Sequence, residues 1–196
     1  MGDRCVMNSE DMRIIKTKEA LRKAMVQLLT EMSFEKMSVQ DICEKAKVHR
    51  TTLYKHFADK YDLFSYVLTV MKNEIYSDEE FFSKDFKTIR EVYYYLFDKM
   101  LTYIDARKDK LKKMARNILN EPIFASFVNF AQKKASHFIK KHPYIHTKCP
   151  TDIMSHFLTG GMIYVVSWWL ENPKKYTKNQ ILEYIDKTII SSLTED

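Results

Sequence analysis

Glycine and proline are scarce in this chain, at three and four residues of 196. So few backbone breakers speak against a turn-rich β-sandwich or barrel and leave long helices as the natural state. No strand-like alternation or hairpin signal competes, so the expected fold class is all-α. Cysteine is sparse too. Cys5, Cys43 and Cys149 are odd in number and far apart, which argues against a disulfide framework and fits a reducing cytoplasm. Cys43 falls near the core face of its helix and reads as packing. There is no run of eighteen apolar residues, and the opening MGDRCVMNSEDMR has neither the apolar core nor the cleavage site of an export signal. The expectation is a soluble, cytoplasmic protein with no membrane partner. Also missing are a glycine-rich phosphate loop, an HExxH, a GxSxG and a carboxylate pair in a recognisable context. Motif absence weighs against an enzyme: no catalytic residue can be named and no cofactor is implied.

What the chain does have is apolar and aromatic mass, 45% and 13% of its residues, enough for a core without staples. Apolar residues recur at intervals of three and four. A first helix, from about Asp11 to Met32, carries Ile14, Leu21, Met25, Leu28 and Met32 on one face. Thr17 and Lys18 near its start are placed either to touch a DNA backbone or simply to be solvated. A helix opening at Asp59 continues to about Ile75, and the polar stretch Ser77-Asp78-Glu79-Glu80 then breaks the pattern. That break divides the sequence into domains 1–76 and 77–196. Beyond it, Thr88 with Glu91 forms a capping box for a helix through Tyr103, and further helices are expected over Lys110 to Leu119 and Pro122 to Lys141. A loop bounded by Pro143 and Pro150 precedes the last pair, Thr151 to Glu171 and, behind a Thr177/Gln180 capping box, a helix to about Leu193.

The net charge of +6 and pI near 9.0 suit a nucleic-acid partner without saying where it binds. Residues 1–76 hold 13 basic and 11 acidic side chains, and the rest hold 19 and 15. The excess is sharper between Lys36 and Lys60, where Lys36, Lys45, Lys47, Arg50, Lys55 and Lys60 face only Asp41, Glu44 and Asp59. The same stretch carries a pattern. Val39, Ile42 and Ala46 share one face of a short helix, Val48 marks a turn, and Leu53 with Phe57 centre a second helix over Arg50 to Phe57. Ser38 with Asp41, and Asp59 with Asp62, have N-cap chemistry. Taking Leu53 and Phe57 as buried puts Lys55 nearly opposite at roughly 100° per residue, flanked by Thr51 and Thr52, with Tyr54 and His56 on the sides. A face of that kind fits a major groove, and the flanks fit phosphate oxygens.

The segment Leu53-Tyr54-Lys55-His56-Phe57, followed by Lys60, resembles the end of the helix-turn-helix in the TetR/AcrR family of transcriptional regulators. The likeness covers about the first 75 residues. It implies an N-terminal three-helix helix-turn-helix DNA-binding domain joined to a helical C-terminal domain for ligand binding and dimerisation. It also implies phosphate contacts from Ser38, Thr52, Tyr54, His56 and Lys60, and base-edge contacts from Gln40, His49, Arg50, Thr51 and Lys55. Three positions depart from the family pattern: Lys47 where Gly is usual, His49 where Ser often caps the helix, and Thr51 where Gly is common. A left-handed Lys47 would cost roughly 1 kcal/mol relative to Gly, and His49 is either a groove contact or a solvated cap.

In the C-terminal half, Phe157, Tyr164 and Trp168 make one stripe of a helix while Met154, Val165 and Trp169 make another. One stripe can pack internally and the other on a second subunit, or the whole helix can be internal. Gly160 and Gly161 at its middle cost roughly 1 kcal/mol each against Ala and suit two backbones in close approach. The resemblance, in which the last two helices form a four-helix dimer interface, places that interface at Phe157, Gly160, Gly161, Tyr164 and Trp168. Twelve aromatics from Phe81 to Phe138 could line an effector pocket or form ordinary core, and no ligand-contact residue can be named. His142, His146 and Cys149, with His137 and His156 nearby, have metal-binding chemistry, but the flanking prolines favour a surface loop and no metal site is expected. The lysine run from Lys108 to Lys113, with Lys133, Lys134, Lys140 and Lys141, reads as a solvated face. The resulting expectation is a homodimeric regulator that binds double-stranded, near-palindromic operator DNA under control of a small-molecule effector, with repression as the default sign. The alternatives are an activator controlled by a protein coactivator and, in a different class, a helical ligand carrier or enzyme with a vestigial reader.

Overall fold

The computed structural model describes residues 9–119, 122–141 and 150–187, and the regular structure among them is helical. The chain divides into two compact units, Met1–Val70 and Met71–Asp196. This division falls within the last turns of a helix, ahead of the acidic stretch at which composition places it.

Unit 1 contains α1 (Ser9–Leu28), α2 (Val39–Ala46), α3 (Arg50–Tyr54) and the start of α4 (Lys60–Ile75). Its core includes Leu21, Met25 and Leu28 from α1, Ile42 from α2, Leu53 from α3, Phe57 after it, and Leu63, Phe64 and Val67 from α4, all buried, whereas Ile14, Met32, Val39 and Ala46, which the same helical spacing selects, are half-buried. The connection after α1 contributes Phe34 and Met37, which are equally buried and act as its anchors. Phe34 stands against Tyr61 and Phe64 at ring-centroid distances of 5.2 and 5.3 Å, a spacing that favours tilted and edge-on contact.

Unit 2 contains the rest of α4 and α5 (Asp78–Phe82), α6 (Ile89–Asp105), α7 (Lys108–Arg116), α8 (Pro122–Lys141), α9 (Thr151–Glu171) and α10 (Lys178–Ile185). The acidic stretch that breaks the apolar pattern turns out to begin α5. Ser77 is its N-cap and accepts the Glu80 amide at 2.9 Å, and three carboxylates in one first turn suit the positive end of the helix dipole. The Thr177/Gln180 box is complete, whereas Glu91 turns back to the Lys87 amide, one residue ahead of its Thr88 cap.

Two apolar clusters hold unit 2 together. One joins Phe81, Phe86, Val92, Tyr93, Phe138, Met154 and Leu158; the other joins Phe97, Leu101, Val166, Trp169, Leu170, Ile181 and Leu182. Bidentate Arg90–Asp186 bonds at 2.9 and 2.8 Å and Arg116–Glu171 bonds at 3.0 and 3.1 Å tie α6 to the end of α10 and α7 to α9. Much of the lysine-rich α7 is used in the same way: Lys112 pairs with Glu171, and Lys108 lies 4.1 Å over the Trp169 ring. Helix α9 is long and apolar enough by length and composition to cross a membrane. Eight of its residues, Met154, Ser155, Leu158, Thr159, Ile163, Val166, Trp169 and Leu170, are buried inside the unit.

Candidate nucleic-acid interface

The reader is built from its caps outward. Ser38 precedes α2 in an extended conformation and accepts the Asp41 amide at 3.1 Å, while the Asp41 carboxylate accepts the Ser38 amide at 2.8 Å and its hydroxyl at 2.6 Å. Those bonds, the Ser38 hydroxyl first, hold the Asp41 carboxyl below its usual pKa. Helix α2 ends at Lys47, which takes φ 56° and ψ 44°, the sole positive-φ non-glycine residue among those described. Its amide closes α2 onto the Cys43 and Glu44 carbonyls, and the chain turns at Val48 into α3. The Cys43 thiol beneath the turn is buried, and that burial raises its pKa against the pull of Arg50, so it remains a neutral packing group.

Because Lys47 adopts a conformation that favours glycine, Lys47→Gly is expected to raise the thermal midpoint of unit 1. The gain is about 0.5–1 kcal/mol, or about 2–8 °C for a unit of this size. A calorimetric scan of the full chain checks this, and a lowered midpoint would refute it.

Helix α3 is shorter than its apolar spacing suggests. It spans Arg50–Tyr54, with Lys55 as its C-cap in right-handed geometry and the amides of His56 and Phe57 both closing onto the Leu53 carbonyl. The buried pair Leu53 and Phe57 nevertheless leaves His49, Arg50, Thr51, Tyr54 and Lys55 exposed, with Thr52 and His56 half-buried. His49 holds the N-cap position without a side-chain cap bond. Among the described residues, Arg50, Thr51, Tyr54 and Lys55 have no side-chain hydrogen bond or ion pair.

Other candidates are already engaged. Gln40 donates to Glu44 at 2.8 Å, which leaves its amide oxygen as the group open to a base. Ser38 gives its hydroxyl to its own cap. Lys45 pairs with Glu31 at 2.9 Å, and Lys60 donates to three backbone carbonyls. Lys18 lies 5.9 Å from the Phe57 and Tyr66 rings, and the Thr17 hydroxyl donates to the Arg13 carbonyl. Between Lys36 and Lys60 the exposed cations without an ion pair are therefore Lys36, Lys47, Arg50 and Lys55. Lys36 and Lys47 are absent from the contacts that the family resemblance suggests; the local charge excess is the signal that contains them.

The two stripes of α9 separate in unit 2. Met154 and Trp169 are fully inside and Val165 is half-buried, whereas Ile153, Phe157, Tyr164 and Trp168 are 62%, 58%, 67% and 41% exposed. A side chain at Gly160 or Gly161 would meet nothing within 4 Å, so no neighbour inside the chain requires a glycine at either position. Tyr164 touches Phe124 edge-on, and Trp168, Tyr176 and Tyr184 continue the aromatic row onto α10.

In the first apolar cluster Phe81, Phe86 and Phe138 stand ring against ring, with centroids 4.5 to 6.5 Å apart. Beside them the Tyr93 hydroxyl is buried without a hydrogen-bond partner, and burial pushes its pKa up to about 12. The Thr159 hydroxyl is near enough to oppose that shift slightly but lies outside bonding geometry. Among the described residues no three His, Cys, Asp or Glu side chains gather as a metal site. His142, His146 and Cys149 lie outside the described residues.

Comparison with known proteins agrees with this geometry. Residues 20–67 match the family described as Bacterial regulatory proteins, tetR family, and residues 91–191 match Transcriptional regulator C-terminal region. The Bacillus subtilis HTH-type transcriptional regulator YxbF, itself described as uncharacterized, is 35% identical over 63 residues, or 32% of this chain and 17% of that protein. This chain thus spans under a fifth of that relative's length. Solved structures share the fold, two of them as follows. A TetR transcriptional regulator from Streptococcus agalactiae matches with a TM-score of 0.66 at 22% identity, over 92% of this chain and 97% of that one. NalD, the secondary repressor of the MexAB-OprM multidrug efflux pump in Pseudomonas aeruginosa, matches with 0.65 at 17% identity, over 93% and 99%. With the reader and the helical unit that follows it in sequence both matched in order, this chain belongs to the TetR family of transcriptional regulators.

Proposed function

We propose that this protein is a cytoplasmic homodimer that represses transcription by occupying a near-palindromic operator, and that a small apolar effector releases it. The observation that carries this reading is the group of exposed side chains without hydrogen bonds or ion pairs, Arg50, Thr51, Tyr54 and Lys55, around the buried Leu53 and Phe57. Arg50 and Thr51 at the start of α3 face the bases, together with His49 and the Gln40 amide oxygen. Tyr54, Thr52 and His56 meet phosphates, as does the capped N-terminus of α2 at Ser38. Lys36, Lys47 and Lys55 supply counterion release. The exposed α9 stripe of Phe157, Gly160, Gly161, Tyr164 and Trp168 meets its equivalent in a second copy, so one particle carries two readers.

For the effector, the orphaned Tyr93 hydroxyl supplies the polar handle within an otherwise aromatic cluster. The rings around it are in contact, so a ligand enters by displacing one of them. Phe81 rides on α5, whose Glu80 is tied to Tyr95 at 2.8 Å and Lys99 at 2.7 Å. An effector that prefers the state unable to bind DNA weakens operator affinity, and by linkage operator DNA weakens effector binding by the same factor.

Selection from a pool of random duplexes tests the reading. The wild-type chain should enrich a two-fold symmetric sequence. Arg50→Ala should cost about 1–3 kcal/mol on that sequence and relax one base position in each half. If nothing is enriched at moderate salt while a small molecule binds tightly, the protein is a ligand carrier with a vestigial reader.

A further inference from the structure

We propose that Lys60 is a positioning residue of the reader: its ammonium ties down the connection between α1 and α2, setting where Ser38 and Gln40 stand, and it does not contact phosphate. The inference deepens the DNA-binding reading above and rests on it for its effect on affinity. Lys60 Nζ donates to the carbonyl oxygens of Phe34 at 3.0 Å, Glu35 at 3.2 Å and Met37 at 3.0 Å. An ammonium has three N–H donors and all three are used. The same cation lies 4.7 Å from the centroid of the buried Phe34 ring and 5.6 Å from that of Tyr61. The carbonyls it gathers lie directly before the Ser38 cap, and Phe34 and Met37 are the two buried anchors of the connection.

Two further points separate this from a phosphate contact. Lys60 is the first residue of α4, where the helix dipole opposes a cation, so its position calls for a compensating set of acceptors, which the three carbonyls supply. Reaching a phosphate would strip three carbonyls of a charged donor at once, whereas Lys36, Lys47 and Lys55 can bind phosphate without breaking an ion pair. The ammonium also fits this tripod in a way that a guanidinium does not: three converging acceptors match a tetrahedral donor, while the planar fork of Arg suits the paired oxygens of a phosphate.

That difference gives the test. In the full-length wild type, the Lys60 ammonium should show a slowly exchanging nitrogen-15 signal, unlike that of Lys55, and adding the selected duplex should move the Lys55 signal and leave that of Lys60 in place. Lys60→Arg and Lys60→Met should both speed hydrogen exchange at the Met37 amide by about tenfold or more. Both should lower affinity for the selected duplex about tenfold, well below the melting temperature. Affinity for random duplex and the salt slope should stay at wild-type values, so the specificity ratio shrinks. If Lys60→Arg retains full affinity while Lys60→Met reduces the salt slope by about one, Lys60 is a phosphate contact and the inference fails. A fast-exchanging Lys60 ammonium in the wild type overturns it without any variant. Failure of the wild type to select DNA would instead sink the functional reading, and the Met37 and ammonium measurements would still report on the clamp.

Discussion

The chain carrying Phe157→Glu and Tyr164→Glu is expected to sediment as a single folded subunit and to lose affinity for the selected duplex by about 10²–10⁴-fold, the usual gain from linking two binding modules. Both side chains are more than half exposed in the isolated subunit, and together with Ile153 and Trp168 they form a contiguous apolar strip along α9. A strip of that kind, on one side of a helix whose other side is core, is where the proposed second copy would pack. Two carboxylates placed across a two-fold interface would be buried beside their own symmetry mates without a cation, which is prohibitive for association and harmless in water. Among the described residues the change removes one ring contact, the edge contact of Tyr164 with Phe124, so helicity should stay near wild type and the melting temperature of the monomer should fall little. Sedimentation velocity and titration of the selected duplex read the two effects separately. A variant that keeps the wild-type mass and affinity would place the interface elsewhere.

The legibility of the sequence varied with how local the cause was. The bounds of α8 and α9 could be read directly, because Pro122 suits a first turn and the apolar run after Pro150 stops at Glu171 before Asn172 and Pro173. The Ser38 and Thr177 boxes were legible for the same reason: a cap is a four-residue object. Helix α5 was missed because its acidic first turn lowers local hydrophobicity, although the same residues strengthen a helix start. Helix α3 was overextended because Phe57 continues the apolar spacing after the helix has ended, and burial does not require Phe57 to be helical. The engagement of Lys60 and Lys45 was not legible at all. Their partners lie 14 to 26 residues away in sequence and, for Lys60, are carbonyls that no side-chain pattern announces. The two stripes of α9 were visible, but which of them faces inward depends on the neighbouring helices.

Trp168 and Trp169 turn that last distinction into a measurement. Trp169 is fully buried among Phe97, Leu101, Val166, Leu170, Ile181 and Leu182, its indole N–H donates to the Tyr176 carbonyl at 2.9 Å, and Lys108 lies over its ring. Trp169→Ala therefore opens a cavity, orphans a carbonyl and removes a cation–π contact. The expected cost is about 3–5 kcal/mol to unit 2, the range for large aromatic truncations in a core. Trp168, one residue earlier, is 41% exposed and touches Tyr176 at 6.0 Å and Lys175 at 5.5 Å. Trp168→Ala should cost under about 1.5 kcal/mol in the separated subunit. Its larger effect should be a weaker dimer, seen as a higher concentration for half-association. Urea unfolding followed by circular dichroism, in the Phe157→Glu and Tyr164→Glu background so that association does not contribute, isolates the subunit term. If the two alanine variants destabilise that background equally, the outer face of α9 is held by its own chain, and the assignment of that face to a second copy must be abandoned.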